Sequence, residues 1–309
     1  QVTFQEGAAT LGAGVLDAAG VATFATASLS TGVHTVTAHY AGTPNITGTV
    51  SLAIVQVVAK AGTALTVVAA PNPSVHGQPM TITATVVISA PGAGTPTGVI
   101  TFTGDGGAIA GCNPVTPANL QAICTTDALA TGLLTITVAY GGDANFDAST
   151  GGLTGGQAVD RAATAVVVTS APNPSVFKQA AVFTATVSAT APGAGIPTGV
   201  VTFTAGATSL GAVSLSAAGT ATVTNSSLVA GDHAITVQYG GDGDFLPATT
   251  EVYTHTVVKA GTATVLAMTP NPARYGDSVA YSATVTASPA GVTMFVPPPS
   301  GPTGSVRFT

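Results

Sequence analysis

Charge is scarce in this chain. Lys, Arg, Asp and Glu make up 6% of its 309 residues, against roughly 25% in an average soluble domain. Six basic and twelve acidic residues leave a net charge of −6, thinly spread. With no basic stripe to hold a phosphate backbone, nucleic acid is a poor partner. Long hydrophobic runs are missing as well. The longest, such as Leu52 to Val58, are too short to span a bilayer and are broken by Gln56, so they read as strands and membrane insertion is not expected. Cysteine occurs only twice. Low charge often accompanies disorder, but disorder also needs low hydrophobicity. Here 46% of the residues are apolar and the mean hydropathy is +0.52, which indicates a packed protein.

What fills the gap is Gly (38), Pro (20) and much Thr, Ala and Val. Pro and Gly recur about every ten residues, too often for helices. Between them lie short runs of Val, Thr, Ile and Ala with period-two alternation, the mark of an all-β sandwich or barrel. So weakly charged a surface also resists self-association poorly.

The main fact is an internal repeat. Pro71-Asn72-Pro73-Ser74-Val75 returns as Pro172-Asn173-Pro174-Ser175-Val176 and Pro270-Asn271-Pro272-Ala273. Pro96-Thr97-Gly98 returns as Pro197-Thr198-Gly199 and Pro302-Thr303-Gly304, each leading to a phenylalanine, Phe102, Phe203 or Phe308, with Phe4 in the same slot. Tyr140-Gly141-Gly142-Asp143-Ala144-Asn145-Phe146 returns as Tyr239-Gly240-Gly241-Asp242-Gly243-Asp244-Phe245, and in degenerate form as Tyr40-Ala41-Gly42-Thr43-Pro44-Asn45-Ile46. The Pro-Asn-Pro marker repeats after 101 and 98 residues and the tyrosine marker after 100 and 99, matching one seven-stranded sandwich of ~100 residues per repeat.

Alternation gives the faces. Ile82, Ala84 and Val86 alternate with Thr81, Thr83 and Thr85; Phe183, Ala185 and Val187 alternate with Thr184 and Thr186; Tyr281, Ala283 and Val285 do the same near the end. One face of each strand is expected in the core and the other in water. Ile136, Val138 and Tyr140 share this arrangement with Ile235, Val237 and Tyr239 and with Val36, Ala38 and Tyr40. Each tyrosine is expected to bury its ring and send its hydroxyl to a backbone partner.

The junctions Ala59-Lys60-Ala61-Gly62, Asp160-Arg161-Ala162-Ala163 and Val258-Lys259-Ala260-Gly261 divide the chain. Residues 1–59 are the back part of a repeat, 60–160 and 161–259 are whole repeats, and 260–309 are the front part of another. Linkers this short predict a linear, semi-rigid rod. Both ends contain the same strand, Gln1-Val2-Thr3-Phe4-Gln5 and Ser305-Val306-Arg307-Phe308-Thr309. That duplication favours a segment of a longer repetitive chain over partial domains completed by strand donation from neighbours. Either way an open half-sandwich does not stay exposed. No signal peptide is visible, as expected of such a segment.

These markers resemble the bacterial Ig-like (Big) repeats found in tandem in large surface and secreted proteins. The pattern runs from Thr63-Ala64 through Pro71-Asn72-Pro73, Gly77-Gln78-Pro79, Pro96 to Phe102, Leu129-Ala130-Thr131-Gly132 and Tyr140 to Phe146. The resemblance implies immunoglobulin-like sandwiches serving as extracellular stalks, spacers or adhesive fibres, with no shared catalytic residues and no cofactor. Two departures stand out: Tyr40 to Ile46 lacks the Gly-Gly-Asp turn, and Gly291 to Pro302 is a longer insert containing Pro297-Pro298-Pro299.

Cys112 and Cys124 fall in one repeat, in the slots of Ala212 and Val223, and are expected on neighbouring strand ends of one hairpin. An oxidising compartment would join them, a closure worth ~3 kcal/mol; zinc would need two more ligands, and none is nearby. Asp143, Asn145, Asp147, Asp242 and Asp244 could be calcium ligands, but Asp or Asn beside Gly is ordinary turn chemistry, and no acidic cluster completes a cage. Of His34, His39, His76, His233 and His255, the pair His34 and His233 share a slot and predict a structural hydrogen bond to a loop. No nucleophile stands beside a histidine and an acid in a repeated pattern, and no paired-carboxylate motif is recognisable. The rows Thr81, Thr83 and Thr85 invite ice or glycan binding, yet Thr is also an ordinary strand residue. The function expected is an extracellular bacterial fibre that self-associates. The alternatives are the stalk of a monomeric adhesin and a glycan-binding module of a secreted enzyme.

Overall fold

The computed structural model describes residues 1–288 and Arg307, and among these every regular element is a strand. The markers Pro302-Thr303-Gly304 and Phe308, the insert Gly291 to Pro302, and all of the terminal strand except Arg307 lie outside the described residues. The chain divides into two compact units, Gln1–Ser74 with Pro79–Val159, and Val75–Gln78 with Asp160–Thr309.

Residues 60–160 contribute two facing sheets beside a short third one of Gly132–Leu134, Gln157–Asp160 and Ser74–Val75. One is Gln121–Thr126, Met80–Ile88 and Thr63–Ala70; the other is Gly107–Ala108, Ile100–Gly104, Ile136–Tyr140 and Ser149–Gly152. Alternation sets what lies between them. Ile82, Ala84 and Val86 from the first sheet meet Ile100, Phe102, Ile136, Val138 and Tyr140 from the second, all at most 1% exposed. Each aliphatic side chain so buried contributes roughly 1.5–3 kcal/mol. Thr81, Thr83 and Thr85 point the other way and are half-buried, because Met80–Ile88 is the central strand of its sheet.

The second unit repeats the plan. Thr164–Ala171, Ala181–Ala189 and Thr220–Asn225 face a six-stranded sheet built on Val200–Ala205, Gly231–Tyr239 and Tyr253–Val258. Phe183, Ala185, Val201, Phe203, Ile235, Val237 and Tyr239 are fully buried between them.

The partial repeats hold different parts of this plan. Residues 1–59 form one sheet, ordered Ala9–Gly14, Val2–Glu6, Gly32–Tyr40 and Thr49–Val50, with Ile54–Val58 also paired to Gly32–Tyr40. Its Phe4 stacks on Phe24 at 5.7 Å and remains half-buried. The last described element is a hairpin, Gly261–Thr269 with Ala280–Ser288. Its register, Thr262↔Ala287 to Thr269↔Ala280, repeats that of Thr63↔Ile88 to Ala70↔Thr81.

Phe102→Ala, in a closed core, is expected to cost about 3–5 kcal/mol. Phe4→Ala should cost clearly less, because its ring is already partly in water. Urea unfolding of the two variants measures both, and equal losses contradict the description of residues 1–59 as a single uncovered sheet.

Candidate functional site

The Pro-Thr-Gly and Tyr-Gly-Gly-Asp markers turn out to be two sides of one hydrogen-bonded knot. Asp143 Oδ2 accepts the Thr97 N–H (2.6 Å), the Thr97 hydroxyl (3.0 Å) and the Tyr140 hydroxyl (3.0 Å). Its Oδ1 accepts the N–H groups of Asn145 and Phe146 at 2.9 and 3.0 Å. Asp242 does the same with Thr198 (2.8 and 2.6 Å), Asp244 (2.9 Å) and Phe245 (2.8 Å). The glycines are required by closeness. A Cβ on Gly98 would sit 2.1 Å from the Gly142 carbonyl oxygen, and Gly142 itself has φ +74° against the backbone of Phe146 and Ala148.

Burial works to raise the Asp143 pKa, but the converging Thr97, Asn145 and Tyr140 donors outweigh it and hold the carboxyl well below its usual range. For Asp242 the same contest ends at about 2. The rings of Tyr140 and Tyr239 are buried, as expected, and the Tyr140 hydroxyl has the expected backbone partner in Gly98. The Tyr140 hydroxyl donates to the Asp143 side chain. The Tyr239 hydroxyl is buried beside Asp242 without a well-aligned hydrogen bond, and its pKa is pushed up to about 12, first by burial and then by that carboxylate. In the first repeat Thr43 replaces the aspartate, and backbone bonds between Thr43 and Ile46 (2.8 and 3.1 Å) keep the turn.

Junction residues cap this knot. The Lys60 ammonium donates to the Asp143 carbonyl at 2.6 Å, and the Arg161 guanidinium donates to the carbonyls of Asp242 and Phe245. Both oxygens of Asp143 and of Asp242 are therefore occupied by protein donors. Asp143, Asn145 and Asp242 act as turn formers, and among the described residues no group of three or more His, Cys, Asp or Glu is placed to hold a metal.

A second constellation joins the Pro-Asn-Pro marker to the last strand of its repeat. Asn72 Oδ1 accepts the Ala158 N–H (3.0 Å) while its Nδ2 donates to the Gly156 carbonyl (2.8 Å). Asn173 clamps Thr256 (3.0 Å) and Thr254 (3.2 Å) identically. Beneath the clamp lies a buried polar slot. Gln157 donates to the Ser74 hydroxyl and the Pro71 carbonyl, both at 3.1 Å. His255, also fully buried, fills that slot in the next repeat between Ser170 (Nδ1, 2.8 Å) and Ser175 (Nε2, 3.0 Å), with Tyr253 hydrogen-bonded to Ser170 as well. Burial, and then the charge of neighbouring His233, lower the His255 pKa. Two serines around a histidine without a carboxylate form a structural bridge, not a nucleophilic triad. The sequence reading missed this role of His255, although the recurrence of Gln56, Gln157 and His255 in one slot was its signal.

The remaining histidines are local. His34 and His233 each meet the carbonyl four residues back, Ser30 and Val229, at 2.7 Å, as their shared slot predicted. His34 also contacts Glu6 at 3.0 Å, and that carboxylate, followed by the Ser30 carbonyl, raises its pKa. His39 meets the Thr37 hydroxyl at 3.0 Å, and within the second unit His76 lies 3.6 Å from Asp244 and edge-on to Phe245.

Cys112 and Cys124 are bonded, with Cα atoms 5.1 Å apart and both side chains buried. Their placement corrects the hairpin expectation. Cys124 lies on Gln121–Thr126 opposite Ile82, whereas Cys112 follows Gly107–Ala108 of the other sheet. The bridge therefore spans the sandwich. Counting slots located the pair but not the sheet, because these neighbouring segments pass from one sheet to the other. Asn113 secures the Cys112 loop by donating to the Phe102 and Ile109 carbonyls at 2.8 and 3.1 Å.

The profile of the bacterial Ig-like domain (group 3) matches residues 1–59, 66–155 and 168–258. The chain belongs to that family. Solved structures similar to these bacterial Ig-like repeats include the D0-D1 domain of intimin (15% identity, TM-score 0.23, covering 63% of this chain and 97% of that one). FdeC, an Escherichia coli adhesin, has 15% identity and a TM-score of 0.26, covering 74% of each chain. A Salmonella alpha-2-macroglobulin has 11% identity and a TM-score of 0.27, covering 76% of this chain and 18% of that one. At those scores the structures add nothing to the family assignment. No curated protein matches the chain.

Two pH effects of opposite sign follow. A lowered His255 pKa means that unfolding takes up a proton, so the stability it contributes is present above the unfolded value of about 6.5 and is lost as pH falls below it. His34, with a raised pKa, contributes below that value and loses its contribution as pH rises through the folded pKa. In thermal scans His255→Gln should therefore lose less Tm on acidification from about pH 7 to 5 than the parent chain; equal losses refute the buried-neutral assignment. Asp242→Asn should destabilise at neutral pH and narrow its gap to the parent as pH falls from about 4 toward 2, where the parent carboxylate protonates.

Proposed function

We propose that the chain is a non-enzymatic structural segment of a bacterial cell-surface or secreted protein, with repeats 1–59, 60–160, 161–259 and 260–309 acting in series in an extracellular fibre. The observation carrying this reading is how the side chains with chemical capacity are used. The aspartates at 143 and 242, the asparagines at 72 and 173, and His255 all hold backbone or loops of their own repeat. What remains in the two whole repeats is a closed sandwich each, with short connecting segments, suited to transmitting tension and keeping distance. The disulfide supports an oxidising compartment. No helix among the described residues is long and apolar enough to cross a membrane. The scarcity of charge, at 6% of residues, supports lateral or end-to-end contact between copies.

The test of compartment is the thiol state in intact cells: full oxidation of Cys112 and Cys124, with labelling of the chain by a membrane-impermeant amine reagent, is expected. Reduced thiols in an unlabelled chain overturn the reading. The test of mechanics is single-molecule extension. The bridge closes a separation of 12 residues, about 40–43 Å when drawn out at roughly 3.3–3.6 Å per residue, so the gain over its 5.1 Å Cα–Cα span is about 35–38 Å. Reduction should lengthen the unfolding step of one repeat by that amount and leave the other steps unchanged.

A further inference from the structure

The Leu-x-Thr-Gly marker, found at Leu129 to Gly132 and earlier as Leu29-Ser30-Thr31-Gly32, belongs neither to the aspartate knot nor to the asparagine clamp. Its earlier copy reaches into the following repeat, and both lie in the first compact unit. The Thr31 hydroxyl donates to the Ala144 carbonyl at 2.8 Å and lies 3.4 Å from Asn145 Oδ1. Those partners sit in the Gly-Gly-Asp turn of residues 60–160, 113 and 114 positions further along the chain.

Every carbonyl from Asp143 to Phe146 is engaged. The Asp143 carbonyl accepts from Lys60, that of Asn145 from the Ala61 N–H (2.9 Å), and that of Phe146 from the Asp143 N–H (3.0 Å). These three donors belong to the repeat that carries the turn. The Ala144 carbonyl is taken instead by Thr31, a residue of the repeat before it. Thr31 is itself braced on both sides. Gly32 pairs with Val58 at the end of the strand that leads into the junction. The Ser30 carbonyl meets His34 Nε2 at 2.7 Å, and His34 Nδ1 meets Glu6 at 3.0 Å. A donor held on a braced turn beside the exit of the chain loses little freedom when it binds. The covalent connection through Ala59 and Lys60 leaves its own backbone dihedrals free to turn, and a second attachment next to it removes that freedom.

We propose that Thr31 is a latch that holds residues 1–59 in one orientation on the Asp143 turn, so that the two consecutive repeats of this unit move as one body. The Gly-Gly-Asp turn thereby has two tasks. The Asp143 side chain organises the loops of its own repeat, while the backbone of the same turn receives the preceding repeat. The latch goes beyond the surface-segment reading and requires no particular compartment or partner.

Distance distributions between spin labels on the 309-residue chain test this. Both native cysteines are in the disulfide, so labels go to introduced thiols. One pair, Thr35→Cys with Thr101→Cys, crosses the joint; another, Ala8→Cys with Thr35→Cys, lies within residues 1–59, and all three positions are exposed. Across the joint the parent should give a narrow distribution. Thr31→Val keeps the side-chain shape without the donor and should raise the undocked fraction about fivefold, the loss of one hydrogen bond. Thr31→Ser should restore the narrow distribution, and Ser30→Ala, at the exposed neighbouring side chain, should leave it unchanged. Equal widths for the parent and Thr31→Val overturn the latch, as does a Thr31→Ser chain as broad as Thr31→Val. Broadening of the inner pair in Thr31→Val overturns it too, since the contact then serves the fold of residues 1–59 and not the joint.

Discussion

A carboxylate surrounded by donors at the end of each whole sandwich is the constraint on which the rest depends. Asp143 receives hydrogen bonds from Thr97, Tyr140, Asn145 and Phe146, and so fixes two loops and the buried tyrosine at once. Hydrogen bonds to a charged acceptor are stronger than neutral ones. A chain with twelve acidic residues in 309 thus places two of them where each organises several backbone groups. Lys60 and Arg161 then meet carbonyls of the same turns, tying each junction to the repeat that follows it.

The repeats are natural variants of one another and show which features the fold requires. Thr43 in place of aspartate leaves the turn to backbone bonds alone. Gln157 and His255 fill one slot with different acid sensitivity. Cys112 and Cys124 give way to Ala212 and Val223 without loss of the sandwich. What is shared is the alternation of core residues, the glycines at close approaches and the asparagine clamp.

Much of this was legible in the sequence because period and alternation are backbone geometry written in side-chain polarity. Phe102, Phe203, Tyr140 and Tyr239 fell in the core where their spacing put them. The shared slot of His34 and His233 gave the carbonyl contact correctly. What stayed hidden required knowledge of which loops meet. Asp143 and Thr97 are 46 residues apart, and nothing local shows that their markers touch. The hairpin reading of Cys112 and Cys124 failed for the same reason, since short sequence separation does not reveal a change of sheet. His255 was passed over because a single histidine carries no pattern until its serines, 85 and 80 residues away, are brought beside it.

The scarcity of basic residues has a consequence for proteolysis. Only six Lys and Arg occur: Lys60, Arg161, Lys178, Lys259, Arg274 and Arg307. A trypsin-like enzyme therefore finds few bonds to cut, and it must draw the side chain next to the bond into its own acidic pocket. At Lys60 and Arg161 that side chain already serves as a donor to turn carbonyls. The same contacts that anchor the junctions guard them against digestion.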